Sequence, residues 1–357
     1  MPADAFAARS VCLIVPGAPE TLTGGYLYDR RIFEELARLG WVTNILSLDA
    51  SFPTPTDSAL VNAKAAFDAL PDGQLVVIDG LALTGLVSLL PAIAKRLCPV
   101  ALIHHPLADE TGIDAARART LKAAEQSALA LVPRIIVTSP WTRRRLADYD
   151  VDPARVAVVE PGIDRELVAA REPSSTVQLL TVATVTPRKG HALLIEALSR
   201  LKHLDWSLRC AGSLEMDPVC ASALRAQIEQ TGLNDRVSLL GEVAPANVGA
   251  EYGNADLFVL ASYLEGYGMA LAEAIAHGLP VVSTTAGAIP DTVPAQAACL
   301  VPPGNVDALT DVLDRLIGDS KARSALLKGA RDAAGQIPGW QDAARKFAGV
   351  LHQRTLD

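Results

Sequence analysis

Residues 255–283 read ADLFVLASYLEGYGMALAEAIAHGLPVVS, and three kinds of local structure follow one another along them. Leu257–Ala261 is a short unbroken apolar run, the pattern of a strand buried on both faces of a parallel sheet, and Pro280–Ser283 is a second. Met269–His277 between them has helical character and is stopped by Gly278 at its C′ position, with Pro280 just beyond. The spacing predicts strand, glycine loop, helix, strand, which is the repeating unit of a doubly wound α/β sheet. In that unit the first free N–H groups of the helix, near Gly268, Met269 and Ala270, project at the carboxyl end of the sheet, where a phosphate is readily held.

Two acids, Glu265 and Glu273, stand eight residues apart around Gly266 and Gly268. Glu273 is the one charge on a helix made otherwise of Met, Ala, Leu, Ile and a terminal His. A surface helix carries a polar stripe, so this one is expected to be mostly buried, and an unpaired buried charge costs several kcal/mol. Ligand hydroxyls are one partner for Glu273; the positive helix N-terminus or an Arg elsewhere is the other.

The same pattern repeats along the chain. Strands are predicted at Val11–Val15, Thr43–Leu48, Leu75–Ile78, Val100–Ile103, Ile135–Thr138 and Val156–Val159, with a helix from Tyr28 to Leu39 ending at Gly40. The small and polar stretch Ala169–Ser175, with Pro173 inside it, reads as a linker. Strands resume at Gln178–Thr184, Leu208–Ala211, Val237–Leu240, Leu257–Ala261 and Pro280–Ser283. The expected division is 1–168 and 178–335, joined by a linker at 169–177 and followed by a terminal helical segment at 336–357. A chain of 357 residues has room for two such domains.

Composition excludes several classes. Half of the residues are hydrophobic and 20% charged, as in a soluble globular protein rather than a disordered one. A net charge of −8, with 16 basic and 20 acidic residues on either side of residue 168, leaves no basic platform for nucleic acid. Five scattered cysteines without a C-x-x-C fit a reduced cytoplasm, and no run approaches the ~20 apolar residues of a membrane span. Arg143, Arg144 and Arg145 form a small basic cluster; a solvated helix face or a peripheral membrane contact would both use it.

EGYGMALAE resembles the E-x7-E signature of the family 4 glycosyltransferases, retaining enzymes of the GT-B fold, in which two Rossmann-like doubly wound domains face each other across a cleft. The resemblance implies that Glu273 binds the ribose hydroxyls of a nucleotide-sugar donor. It implies that Glu265 contacts hydroxyls of the transferred sugar while the backbone of Gly266, Tyr267, Gly268 and Met269 approaches the sugar and pyrophosphate. TPRKG at 186–190 is similar to the family's cationic loop, with Lys189 matching the Lys that neutralises the departing pyrophosphate. The family also has an Arg five residues earlier; this chain has Thr184 there, and Arg188 is the nearby candidate to supply the missing charge. Gly24 and Gly25 are similar to the N-terminal G-G loop near the donor phosphates and acceptor. His104 matches a His close to the reacting carbon, with its neighbour His105 the alternative. Gly212, Gly241 and Val243 complete the donor set, Val243 beside the base, and Gly287–Ala288 stand where a glycine pair is usual. Trp340 and the segment to Leu351 resemble the terminal helix that crosses back onto the first domain.

Asp148, Asp150 and Asp152 have the look of a D-x-D metal motif, but they lie between a helix and Pro153 and read as a polar turn. A P-loop and a strict G-x-G-x-x-G are both absent from the sequence, which disfavours a kinase or a nicotinamide enzyme. The expectation is a cytoplasmic hexosyltransferase with no metal and no cofactor. It takes a UDP- or GDP-type sugar as donor and a saccharide, lipid or small molecule as acceptor. The alternatives are a non-hydrolysing nucleotide-sugar epimerase or another GT-B enzyme, or a non-catalytic nucleotide-sugar-binding protein, the last motivated by Thr184.

Overall fold

The computed structural model describes residues 9–21, 23–164 and 175–352. The chain divides into two compact units, Met1–Gly162 with Pro338–Asp357, and Ile163–Ile337. Each is built around a six-stranded parallel sheet.

In the first unit the strands are β1 (Ser10–Pro16), β2 (Val42–Leu48), β3 (Leu75–Asp79), β4 (Cys98–Ile103), β5 (Arg134–Val137) and β6 (Val156–Val158), in the order β2-β1-β3-β4-β5-β6. The chain steps outward from β1 to β2 and then returns to the other side of β1, so the winding reverses between β1 and β3. Loops leaving such a switch point diverge and open a crevice at the carboxyl ends of the strands. The helix Gly24–Arg38 begins four residues before the expected start at Tyr28. Thr23 caps it by accepting from the Tyr26 N–H, and two glycines at the start hid the turn from a propensity reading. The last helix, Trp340–His352, buries Trp340, Phe347 and Leu351 and packs beside Gly24–Arg38, with the Phe33 and Phe347 rings edge to face at 6.4 Å.

The second unit holds β7 (Val177–Val182), β8 (Trp206–Ala211), β9 (Val237–Gly241), β10 (Leu257–Leu260), β11 (Val281–Thr284) and β12 (Ala298–Val301), in the order β12-β11-β10-β7-β8-β9. Counted from β7 this is the dinucleotide-fold order 3-2-1-4-5-6, with its reversal between β7 and β10. Both faces of β10 are covered: Leu257 and Val259 enter one core with Leu194, Leu198 and Trp206, and Phe258 and Leu260 enter the other with Leu271 and Ile275. That is why the run read as continuously apolar rather than alternating. The sixth strand, β12, escaped the sequence reading: it lies at the sheet edge and only its Val301 is buried.

Ile163 is buried in the core of the second unit, so the first unit's main segment ends at Gly162, six residues before the expected 168. Residues 165–174, most of the stretch read as linker, lie outside the described residues. Asp148 pairs with Arg145, Asp150 takes a left-handed turn conformation (φ 58°) and Asp152 accepts from the Ala154 N–H, which makes DYDVD a structural turn. Among the described residues no helix is long and apolar enough to cross a membrane.

Candidate active site

In the second unit the two strands flanking the reversal end in the two loops singled out above. TPRKG follows β7, and the EGYG loop follows β10. Gly190 has φ +68°, and a Cβ there would lie 2.0 Å from the Ala261 carbonyl oxygen, so only glycine lets the cationic loop press against the end of β10. Two hydrogen bonds then tie the loops: Tyr263 N–H donates to the Arg188 carbonyl at 2.8 Å, and the Arg188 side chain donates through Nη1 to the Leu264 carbonyl at 2.9 Å. A third loop packs on the same point. Ala288 N–H donates to the Glu265 carbonyl at 2.8 Å, and a side chain on Gly287 would meet that oxygen at 2.2 Å.

This packing drives the Glu265 carboxylate inward, to 5% exposure. Its Oε1 accepts from Lys189 Nζ at 2.7 Å and from Ser262 Oγ at 2.6 Å, and Arg188 Nη1 stands 3.7 Å from its Oε2. Burial alone pushes a carboxyl up; the charges of Lys189 and then Arg188 outweigh it and hold Glu265 below its ordinary value. The cluster is one anion and two cations, a net positive site at the carboxyl end of the sheet. The helix Met269–Ala276 starts beside it. Leu271 and Ala272 donate to the Gly268 carbonyl, which leaves the N–H groups of Met269 and Ala270 outside the helical ladder. The positive end of the helix adds to the same field.

Glu273, one turn on, is held differently. Its Oε2 accepts from Tyr252 Oη at 2.7 Å, and the Tyr252 ring stacks on His277 at 4.8 Å, whose Nδ1 donates to the Glu273 carbonyl at 2.8 Å. Burial pushes the Glu273 carboxyl up, and the Tyr252 bond offsets only part of this. The partner that an apolar helix required for its lone acid is thus a tyrosine hydroxyl, which occupies one carboxylate oxygen.

The first unit carries a second cluster at its own reversal. His104 directly follows β4, Asp79 ends β3 and Asp29 lies on Gly24–Arg38; His104 Nε2 is 3.1 Å from Asp29 Oδ1 and 3.5 Å from Asp79 Oδ2. Gly25 lies against the ring, a Cβ there falling 3.3 Å from His104 Cδ2. His105 takes a separate partner, Glu110, at 3.4 Å.

Residues 29–167 match the Glycosyltransferase Family 4 model, and residues 164–333 match that of the glycosyl transferases group 1. The chain belongs to the family 4 glycosyltransferases. Among curated relatives, the MMP alpha-(1->4)-mannosyltransferase of Mycolicibacterium hassiacum is 28% identical over 85% of this chain and 76% of its own. A D-inositol 3-phosphate glycosyltransferase of Salinispora arenicola is 29% identical over 67% of this chain and 60% of its own. The fold is shared with sucrose-phosphate synthase of Thermosynechococcus elongatus (TM-score 0.83, 20% identity, 98% of this chain and 99% of that one). It is shared also with Anabaena Alr3699/HepE, solved in complex with UDP-glucose (TM-score 0.77, 19% identity, 96% and 99%).

In this glycosyltransferase the residues singled out in the second half gather at strand ends. Lys189, Arg188 and Glu265 are in mutual contact, Gly268 and Met269 open the helix, and Gly212 at the end of β8 donates to the Gly241 carbonyl at 2.8 Å. Thr184 and Val243 are half-buried in the loops after β7 and β9. The Tyr267 ring lies in the core and its carbonyl accepts from Thr292 Oγ1 at 2.6 Å. In the first half Gly24 and Gly25 open the helix that carries Asp29, and His104 rather than His105 joins the acid cluster. Sequence reading missed Ser262, Tyr252, His277, Asp29 and Asp79. Asp79 did carry a signal, a charge closing the buried strand LVVID; the others carried none.

Proposed function

We propose that this glycosyltransferase moves a hexosyl group from a UDP- or GDP-linked donor to a hydroxyl acceptor, with retention at the anomeric carbon and without a metal. The observation that carries the reading is the Lys189–Glu265–Arg188 cluster beside the N-terminus of Met269–Ala276. As the sugar–phosphate bond breaks, positive charge grows on the anomeric carbon and negative charge on the departing diphosphate. Lys189, Arg188 and the helix end supply preorganised positive charge for that leaving group, the work a divalent cation does in other transferases. Arg188 stands in for the Arg missing at Thr184. Retention follows if the acceptor attacks from the face the diphosphate leaves, the diphosphate oxygen taking the acceptor proton, so no protein nucleophile is required. Glu265, already paired to Lys189, orients that cation and reaches sugar hydroxyls rather than attacking carbon.

Glu273 is assigned to the ribose hydroxyls, with Gly212, Gly241 and Val243 around the nucleotide. The second unit binds the donor and the first unit the acceptor. The mannosyltransferase and inositol phosphate glycosyltransferase names among the relatives, and the UDP-glucose complex of a fold neighbour, support a nucleotide-hexose donor. The test is turnover of UDP-, GDP- and ADP-sugars against an acceptor panel, with and without EDTA, and the product's anomeric configuration by NMR. Retained configuration and activity in EDTA are expected. Donor binding without turnover across the panel would make the chain a nucleotide-sugar binder, and loss of activity in EDTA would end the metal-free mechanism.

A further inference from the structure

We propose that Asp29 and Asp79 are positioning residues that grip the Nε2 edge of His104 from two separate elements and so present its Nδ1–H as a donor to a substrate oxygen. The geometry is that of a ring held on every other side. Nε2 faces Asp29 Oδ1 at 3.1 Å and Asp79 Oδ2 at 3.5 Å. Gly25 lies against the ring, and Tyr28 meets it edge-on with centroids 5.5 Å apart. The His104 carbonyl accepts from both Thr138 Oγ1 (3.2 Å) and Thr142 Oγ1 (3.1 Å), which fixes the backbone from which the ring springs. Among the described residues Nδ1 has no hydrogen-bond partner, and the side chain keeps 20% exposure, so this edge is the one open to a ligand.

A histidine that only filled space would need one acceptor. Here two carboxyl groups with 3% and 8% of their side chains exposed converge on one nitrogen, and their mutual repulsion is relieved by an imidazolium between them together with the Asp79 carboxyl, which burial and Asp29 push up to about 7. Burial would discharge the ring, but Asp29 first and Asp79 second outweigh burial and hold it above its ordinary value of 6.5. The other titratable groups facing the cluster are tyrosines of the Gly24–Arg38 helix: Tyr26, whose hydroxyl donates to the Pro16 carbonyl at 2.5 Å, and Tyr28, whose hydroxyl donates to the Val159 carbonyl. Neither competes for Nε2. Asp79 Oδ1 meanwhile accepts from the Leu81 N–H at 2.9 Å, so its orientation is set by the helix it caps. With Nε2 committed, a charged ring has one remaining proton to offer, on Nδ1, and acts as a hydrogen-bond donor rather than as a base.

The identity of the oxygen, on the acceptor or the transferred sugar, rests on the glycosyl-transfer reading; the clamp itself does not. The experiment is therefore double. Nitrogen-15 NMR of histidine-labelled protein follows both ring nitrogens of His104 from pH 5 to 9 in the wild type, Asp29→Asn and Asp79→Asn. Both nitrogens are expected to stay protonated past pH 6.5 in the wild type, and the titration to fall in Asp29→Asn. In turnover assays Asp29→Asn is expected to lower kcat ~10-fold or more with the donor KM nearly unchanged. The wild-type titration decides the matter even if a variant fails to fold. A His104 titration at or below 6.5, or one that neither variant moves, would overturn the clamp. So would a shift of the His104 resonances on adding Mg²⁺, Mn²⁺ or Zn²⁺, since the three donor groups lie within 4.8 Å of one another and would then be a cation site. If no donor turns over while the titration behaves as stated, the glycosyl-transfer reading fails and the clamp stands.

Discussion

At the scale of single residues, the site is a set of buried charges whose partners lie far apart in the chain. Lys189 and Glu265 are 76 residues apart, and Tyr252 and Glu273 are 21. The acids and the lysine were legible because their neighbours form dense local motifs; Ser262 and Tyr252 were not, since nothing local to them shows what they face. The pairing makes Lys189→Ala a change with two effects. Turnover falls ~10²–10³-fold as a donor to the leaving diphosphate is lost. Stability falls by ~3 kcal/mol because a buried carboxylate is stranded, and adding Glu265→Gln restores the melting point but not kcat. Glu273→Ala separates from it in kinetics: the donor KM rises ~10-fold or more, the loss of hydrogen bonds to a charged acceptor, with a smaller change in kcat. Arg188→Ala lowers kcat by a comparable factor if it carries the work of the missing Arg at Thr184; an unchanged kcat would move that work to the helix end.

At the scale of elements, what decides the site is where strands stop and how loops meet. The inner strands were legible because both of their faces are covered, which turns them into apolar runs such as LFVL or VCLIV. β12 and the glycine-started helix at Gly24 were the exceptions, one an edge strand with a single buried residue and one begun by residues with low helix propensity. Loop contact is a tertiary matter. Gly190 shows it: an alanine there combines a left-handed backbone with a Cβ placed 2.0 Å from a carbonyl oxygen. Gly190→Ala is expected to destabilise the second unit by ~2 kcal/mol or more and to lower activity by shifting Lys189. Wild-type melting together with wild-type kcat would show that the loop and β10 need not touch.

At the scale of the whole molecule, the buried acids set how stability responds to pH. Burial and the charge of Asp29 push Asp79 up to about 7, and burial pushes Glu125 up to about 7 although it accepts from the Leu107 N–H at 2.6 Å. A carboxyl whose folded value exceeds its unfolded one binds more protons when folded, so its contribution declines as pH rises from the unfolded value towards 7 and is level above that. The raised His104 has the same sign, its contribution being complete below 6.5 and lost as pH climbs through its folded value. Glu265, held low, acts oppositely and only as pH falls below its ordinary 4.5. His191, pushed down to about 4 chiefly by burial, acts oppositely between there and 6.5. The acid's share is therefore read by difference: Glu125→Gln is expected to raise the melting point at pH 8 relative to that at pH 5 when set against the wild type, and an unchanged difference would contradict the burial of Glu125. By itself the sequence determined the class of fold, two doubly wound parallel units, because periodicity and glycine spacing are local consequences of strand and helix geometry. Only the tertiary structure decided that Glu265 is spent on Lys189, that Glu273 leans on Tyr252, and that two acids converge on His104, because a charge chooses its partner by distance in space, and nothing in local periodicity records that distance.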